Sequence, residues 1–182
     1  MWSDSQLKAF VDALNAGEVA IAPAEGVYGY CADPFNDKAL EKIIALKQRS
    51  KNKGLITLVP NLQTLPQICG DLDAAAEAAI KRYWQLDQIA TTLLLPPSAS
   101  TPKLLMGGFD TVSVRLPQVD YMQQYMQAWG KPLVSTSLNI AGEPPATEVT
   151  DAPAGVAALT LPEPLHGQPS RIYNPATEEF LR

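Results

Sequence analysis

Two apolar periods alternate along the chain. Leu7, Phe10, Val11 and Leu14 recur at i, i+3, i+4 and i+7, the spacing of one buried helix face. Ser3 and Gln6 form a capping-box pair ahead of them and Gly17 closes the segment, so a helix is predicted here. Residues 19–22 are a short apolar run ended by Pro23, which reads as a buried strand. Asn36 or Asp37 can cap a second helix, whose inward face would be Leu40, Ile43, Ile44 and Leu46. Gly54 breaks that pattern, and residues 55–59 form a strand-like run. Residues 71–84 are alanine-rich and helical, with Asp71 and Asp73 suited to the positive end of the helix dipole. Strands follow at 91–95 and 112–116, the second alternating Val112, Val114 and Leu116 with Ser113 and Arg115. A helix over 120–129 is stopped by Gly130, and 132–136 is another strand.

Strands separated by helices predict an α/β (α+β) fold on a mixed sheet, in one domain spanning residues 1–182. Seven of the sixteen prolines fall between Pro144 and Pro175, so residues 142–169 are expected to form a lid or peripheral loop. No basic segment followed by an apolar stretch opens the chain, and no apolar run is long enough to span a membrane. The expected location is the cytoplasm, with no membrane partner. His166 is the single histidine, which excludes metal sites built on two or more. Cys31 and Cys69 form no CxxC pair and read as buried thiols. No protein-ligated metal site is expected.

Charge changes the picture more. The net charge is -5, which argues against a surface that grips nucleic acid everywhere. Residues 38–53 nevertheless hold Lys38, Lys42, Lys47, Arg49, Lys51 and Lys53 against Glu41 alone, a local balance of +5. Such a run suits a solvated helix face, or an anion site in which arginine supplies a fork and lysine a point charge. Two further segments follow apolar strands. Ser135-Thr136-Ser137-Leu138-Asn139 supplies hydroxyls and an amide at a strand end, as a binding lip or a self-satisfied turn. Around Glu25, Gly26, Tyr28 and Gly29 the glycines allow close approach to a ligand and Glu25 supplies an acceptor; the alternative is a tight turn with core aromatics. Neither GxGxxG nor GxxxxGK[ST] occurs, so the common dinucleotide and P-loop routes are closed.

In order along the chain, PAEGVYG, LKQRSKNKGLITLV, FDTVSVRLP and KPLVSTSLNIAG are followed by Pro169-Ser170-Arg171-Ile172 and by Thr177, Glu179 and Arg182. This order resembles the YrdC/TsaC-type threonylcarbamoyl-AMP synthases, in their short single-domain form. The resemblance implies a twisted mixed sheet with flanking helices and a concave, partly basic groove. It implies that L-threonine, bicarbonate and ATP, with Mg2+, yield threonylcarbamoyl-adenylate and pyrophosphate. A downstream threonylcarbamoyl-transferase complex would then modify an adenosine of tRNA. The family's KxR…SxN tetrad, the catalytic set that the resemblance implies, falls on Lys47, Arg49, Ser137 and Asn139. ATP is expected to meet Arg49, Lys53, Thr92, Ser135, Ser137, Asn139 and Arg182, and the amino acid Glu25, Gly26, Tyr28, Arg115 and Ser170.

The chain departs from the family at three places. Ala24 and Gly26 stand where the family has Thr, and Thr or Ala; Leu138 enlarges the tetrad's second half; and residues 84–92 lack the family's Pro-Gly-Pro corner. These departures leave two alternatives to the synthase. One is a non-catalytic relative that binds tRNA or double-stranded RNA through the basic run. The other is a paralogue that adenylates a different carbamate.

Overall fold

The computed structural model describes residues 2–85, 88–150 and 155–182. Helix α1, Asp4–Asn15, begins at Ser3 with the reciprocal Ser3–Gln6 capping box that the sequence predicts, and buries Phe10 and Leu14. Strands β1, Ala20–Ala24, and β2, Val27–Ala32, then form an antiparallel hairpin, and α2, Asp37–Leu46, is capped by Asn36. Strand β3, Ile56–Leu58, precedes a short 3-10 helix, Leu62–Gln67, and α3, Ala74–Tyr83. The rest of the order is β4 (Thr91–Leu95), α4 (Lys103–Met106), β5 (Val112–Arg115), α5 (Asp120–Trp129), β6 (Leu133–Ser137), β7 (Arg171–Asn174) and β8 (Glu179–Phe180).

The eight strands form one mixed sheet in the order β1-β2-β6-β3-β5-β4-β7-β8, with β3–β5 and β4–β7 parallel and the other pairs antiparallel. Strand alternation decides what each face does. Val134, Val112, Val114, Leu93 and Leu95 point to one face and join Leu40, Ile43, Ala76, Ala79 and Tyr83 from α2 and α3 in a core. On the opposite face, Leu133 and Leu58 pack with Phe10, Leu14, Met122, Tyr125, Met126 and Trp129 of α1 and α5. That second layer covers only part of its face. Further along the same strands Ser135, Ser137, Ser113 and Arg115, with Ile56 at the margin of the helical layer, line a cavity.

Several expectations require correction. Pro23 does not end β1 but lies within it, paired with Tyr28, because β1 is an edge strand where a missing N–H is tolerated. The segment after it, read as a ligand-approach segment or a tight turn with core aromatics, turns at Glu25 and Gly26 and continues as strand β2 with Tyr28 buried. The hairpin β7–β8 has no counterpart in the sequence reading. Leu46 is 43% exposed and not on the core face of α2; Ala39 is buried there instead. Asp73 caps α3, whereas Asp71 lies before the helix. Both cysteines are free and buried as expected, and burial pushes each thiol up to about 12.

The proline-rich segment runs along the β1 edge. Ile21 exchanges backbone hydrogen bonds with Ala157 and Leu159, and Leu161 N donates to the Tyr28 hydroxyl. Its end lies directly on the β1–β2 turn, where Gly167 N donates to Gly26 O at 2.8 Å. A Cβ on Gly26 would stand 1.8 Å from the Gln168 carbonyl oxygen and 2.5 Å from His166 Cε1. Steric room, and no special φ, therefore requires glycine at 26. The contact ties the hairpin at one end of the sheet to the chain entering β7 near the other.

Candidate active site

The bare part of the second face forms a cavity of about 580 Å³. Its wall is of two kinds. Arg49, Lys53, Arg115 and Arg182 supply cations, with Glu25 and Asp110 the carboxylates among the lining residues. Val27, Ile56, Leu94, Met106, Phe109, Ile172 and Leu181 supply an apolar surface, and the lip adds Ser135, Thr136, Ser137 and Ser170. A ligand with an anionic end and a flat or apolar end suits such a wall.

Arg49 reaches the cavity through the way α2 ends. Gln48 takes φ 48, and Gln48 N and Arg49 N donate to Ala45 O and Ile44 O, the bonds of a Schellman stop with a non-glycine in the left-handed position. This reversal sends the side chains of Lys47 and Arg49 to different surroundings. Arg49 Nη2 donates to Gly54 O at 2.8 Å, and its Nε is buried without an acceptor. Lys47 is 1% exposed and does not line the cavity. Its ammonium donates to Asn139 Oδ1 at 2.7 Å, to Asn139 O at 3.1 Å, to Ser137 Oγ at 3.3 Å, and to Ser137 O.

Arg115 is presented by β5 and pairs with Glu25 at 2.9 Å, while its Nε has no acceptor. The Tyr121 hydroxyl donates to Glu25 O, and burial with the Glu25 charge pushes that phenol up to about 12. Arg182 donates through Nε to Ser170 O at 3.1 Å, and Ser170 Oγ lies 2.9 Å from Thr92 Oγ1. The cations disturb one another in a chain. Burial and the Arg49 charge lower Lys47 to about 8; burial and Arg182 lower Arg49; burial and Arg115 lower Arg182. Desolvated like charges held together favour an anionic partner.

The residues expected from sequence thus divide. Arg49, Lys53, Arg115, Arg182, Glu25, Gly26, Tyr28, Ser135, Ser137 and Ser170 share the cavity wall. Lys47, Asn139 and Thr92 stand behind it, bonded to Ser137 and Ser170. Ser113, Asp110, Phe109 and Leu181 are lining residues that the sequence reading did not single out. Ser113 had a signal, since it alternates with Val112 and Val114 and shares the Arg115 face; Phe109 and Leu181 had none beyond being apolar in loops.

Lys38 stays exposed, but the rest of the basic run is paired, buried or turned toward the cavity. Lys42 pairs with Glu18 and Lys51 with Glu41, Lys47 is buried, and Arg49 and Lys53 turn into the cavity. Among the described residues no group of three or more His, Cys, Asp or Glu could hold a metal ion. None of their helices is long and apolar enough to cross a membrane.

A family model for Sua5, YciO and YrdC proteins, described as "Telomere recombination", matches residues 12–177. A protein of Pseudoalteromonas translucida named threonylcarbamoyl-AMP synthase is 35% identical over 189 residues, covering 100% of both chains. Its namesake from Escherichia coli O1:K1 is 35% identical over 183 residues, covering 97% of this chain and 94% of its own. Among solved structures, Sua5 of P. abyssi complexed with L-threonine superimposes with TM-score 0.84 at 24% identity. The match covers 96% of this chain and 52% of that one, so the chain spans about half the length of Sua5. YciO of E. coli gives TM-score 0.75 at 20% identity over 93% of this chain and 83% of its own. These two likenesses establish the fold, and the sheet with flanking helices is theirs. With a family match over residues 12–177 and full-length relatives at 35% identity, the chain belongs to the Sua5/YciO/YrdC family.

Proposed function

We propose that the protein is a threonylcarbamoyl-AMP synthase, a nucleotidyltransferase that joins L-threonine, bicarbonate and ATP into threonylcarbamoyl-adenylate and releases pyrophosphate. The observation that carries this reading is the cavity's cationic end, where Arg49 and Arg115 each keep a buried Nε–H without an acceptor. The curated relatives' name supports it.

The chemistry asks for what the wall offers. The threonine amine must condense with bicarbonate to a carbamate, releasing water, and a carbamate oxygen then attacks the α-phosphorus as the bond to pyrophosphate breaks. Negative charge builds on phosphoryl oxygens, so fixed cations supply most of the stabilisation. Arg49, Lys53 and Arg182 line the wall and would hold the phosphates, and Arg115 with Ser170 would hold the amino-acid carboxylate. Ser135 and Ser137 offer neutral polar contacts, and Phe109, Met106 and Leu181 a surface for the base. Tyr28 and Gly26 line the cavity beside Glu25 and would meet the threonine. No covalent nucleophile enters the scheme.

The donor set fits magnesium only as an ion carried in on the triphosphate. Asp110 is a carboxylate available on the wall, since Glu25 is engaged by Arg115, and magnesium needs one or two carboxylates besides phosphate and water. Bound there, the ion would help to neutralise phosphate charge. The product is a mixed anhydride, so a group-transfer system must consume it; tRNA and the transferase complex are the proposed recipients.

The test is pyrophosphate release from ATP with magnesium, which should require both threonine and bicarbonate. Release that is absent, or indifferent to either, overturns the proposal. Substituting other amino acids in the same assay separates the paralogue reading, which Gly26 and the segment lying on it favour.

A further inference from the structure

Lys47 and Arg49 stand two positions apart, yet only Arg49 reaches the cavity. The four oxygens around Lys47 Nζ all come from Ser137 and Asn139, at the end of β6 and just beyond it. An ammonium has three protons, so these acceptors already outnumber its donors and none is left for a phosphate. The main chain repeats the link, because Ala141 N donates to Lys47 O at 2.9 Å. The same segment is braced internally: Ser137 Oγ donates to Asn139 Oδ1 at 2.7 Å and Asn139 Nδ2 to Glu143 O at 2.6 Å.

We infer that Lys47 is a positioning residue that does not touch the nucleotide. It fastens residues 137–141 to the end of α2, fixing the Ser135–Ser137 lip against the cavity, while Arg49 meets the phosphates. The inference rests on the synthase reading of the cavity and adds a division of labour within the KxR…SxN set. Removing the ammonium leaves several buried oxygens short of donors. The lip then loses its orientation while the cations on the wall remain.

Inorganic pyrophosphate is the probe, titrated calorimetrically into the full chain and its Lys47→Gln and Arg49→Gln variants, alongside ATP turnover. Arg49→Gln is expected to weaken pyrophosphate binding about tenfold or more, the loss of a charged hydrogen bond. Lys47→Gln should bind pyrophosphate within about threefold of wild type while kcat falls at least about tenfold, as misplaced groups cost rate more than affinity. Asn139→Ala should copy that pattern, and the Lys47→Gln/Asn139→Ala double variant should be no slower than the worse single one, since both act through one clamp.

Equal loss of pyrophosphate affinity in Lys47→Gln and Arg49→Gln makes Lys47 a phosphate ligand and overturns the inference. Should Lys47→Gln not fold, Asn139→Ala decides, because it keeps the lysine charge: undiminished kcat there overturns the clamp. Wild type that neither binds pyrophosphate nor turns over ATP overturns the synthase reading, and the inference with it. That outcome differs visibly from a phosphate-binding wild type whose Lys47 variant fails.

Discussion

A single buried lysine separates two pH effects that usually move together. Burial and the neighbouring Arg49 charge bring Lys47 down to about 8 from an ordinary 10.5. Between those values the unfolded chain holds the proton and the folded chain has released it. Stability therefore gains from this residue as pH rises through the window, and the penalty of the buried charge is fully present below about 8. The clamp itself needs the ammonium. We expect kcat to fall on the alkaline side with an apparent midpoint near 8, while the Lys47 contribution to urea stability rises over the same range. A pH–rate profile beside urea melts at each pH checks the opposed signs; parallel curves would remove Lys47 as the titrating group. The resemblance named Lys47, Arg49, Ser137 and Asn139 as one set, but no local pattern could say which of them face a ligand. That assignment follows from the Gln48 reversal, at a position where no glycine advertises a turn.

At the scale of elements, the four longer helices α1, α2, α3 and α5 were the legible part, whereas α4 and the 3-10 helix were not. The Ser3–Gln6 box, the Asn36 cap and the Gly130 stop appear where polar residues meet apolar periodicity. The edge hairpins were not legible. Pro23 signals a break in isolation, and only the sheet order, which puts β1 at an edge, makes it harmless. Strand β8 is two residues long and presents no period to read. Ser3→Ala should cost about 1 kcal/mol, seen as a lower urea midpoint with an unchanged m-value. Gln48→Gly should gain about 1 kcal/mol or more, since it relieves the left-handed strain of a side chain with φ 48.

Across the whole molecule, charge is the quantity that the structure redistributes. Of the run that reads as +5 in sequence, Lys38 stays exposed and the rest is spent on ion pairs, on one buried lysine and on the cavity. What remains outside belongs to a chain of net charge -5, a poor surface for double-stranded RNA. Mobility shifts at physiological salt should show no retention of a generic RNA duplex; salt-sensitive retention would restore the RNA-binding alternative. Crowded cations also make the empty cavity less favourable than the filled one. Pyrophosphate should raise Tm more than sodium chloride of equal ionic strength, because it binds the folded state specifically. Equal shifts from the two salts would reduce the effect to screening.

The contact between Gly26 and the segment ending at Gln168 constrains how this chain can change. With 1.8 Å between a would-be Cβ and a carbonyl oxygen, no side chain enters at 26 until the backbone opposite has moved. Substitutions there must arrive in order, the segment first and the residue second. A change to the Thr or Ala that the resemblance implies at this position is blocked as a single step. A library selected for function with Ala fixed at 26 should recover its second-site changes in residues 163–169, and the same library with Gly26 retained should not.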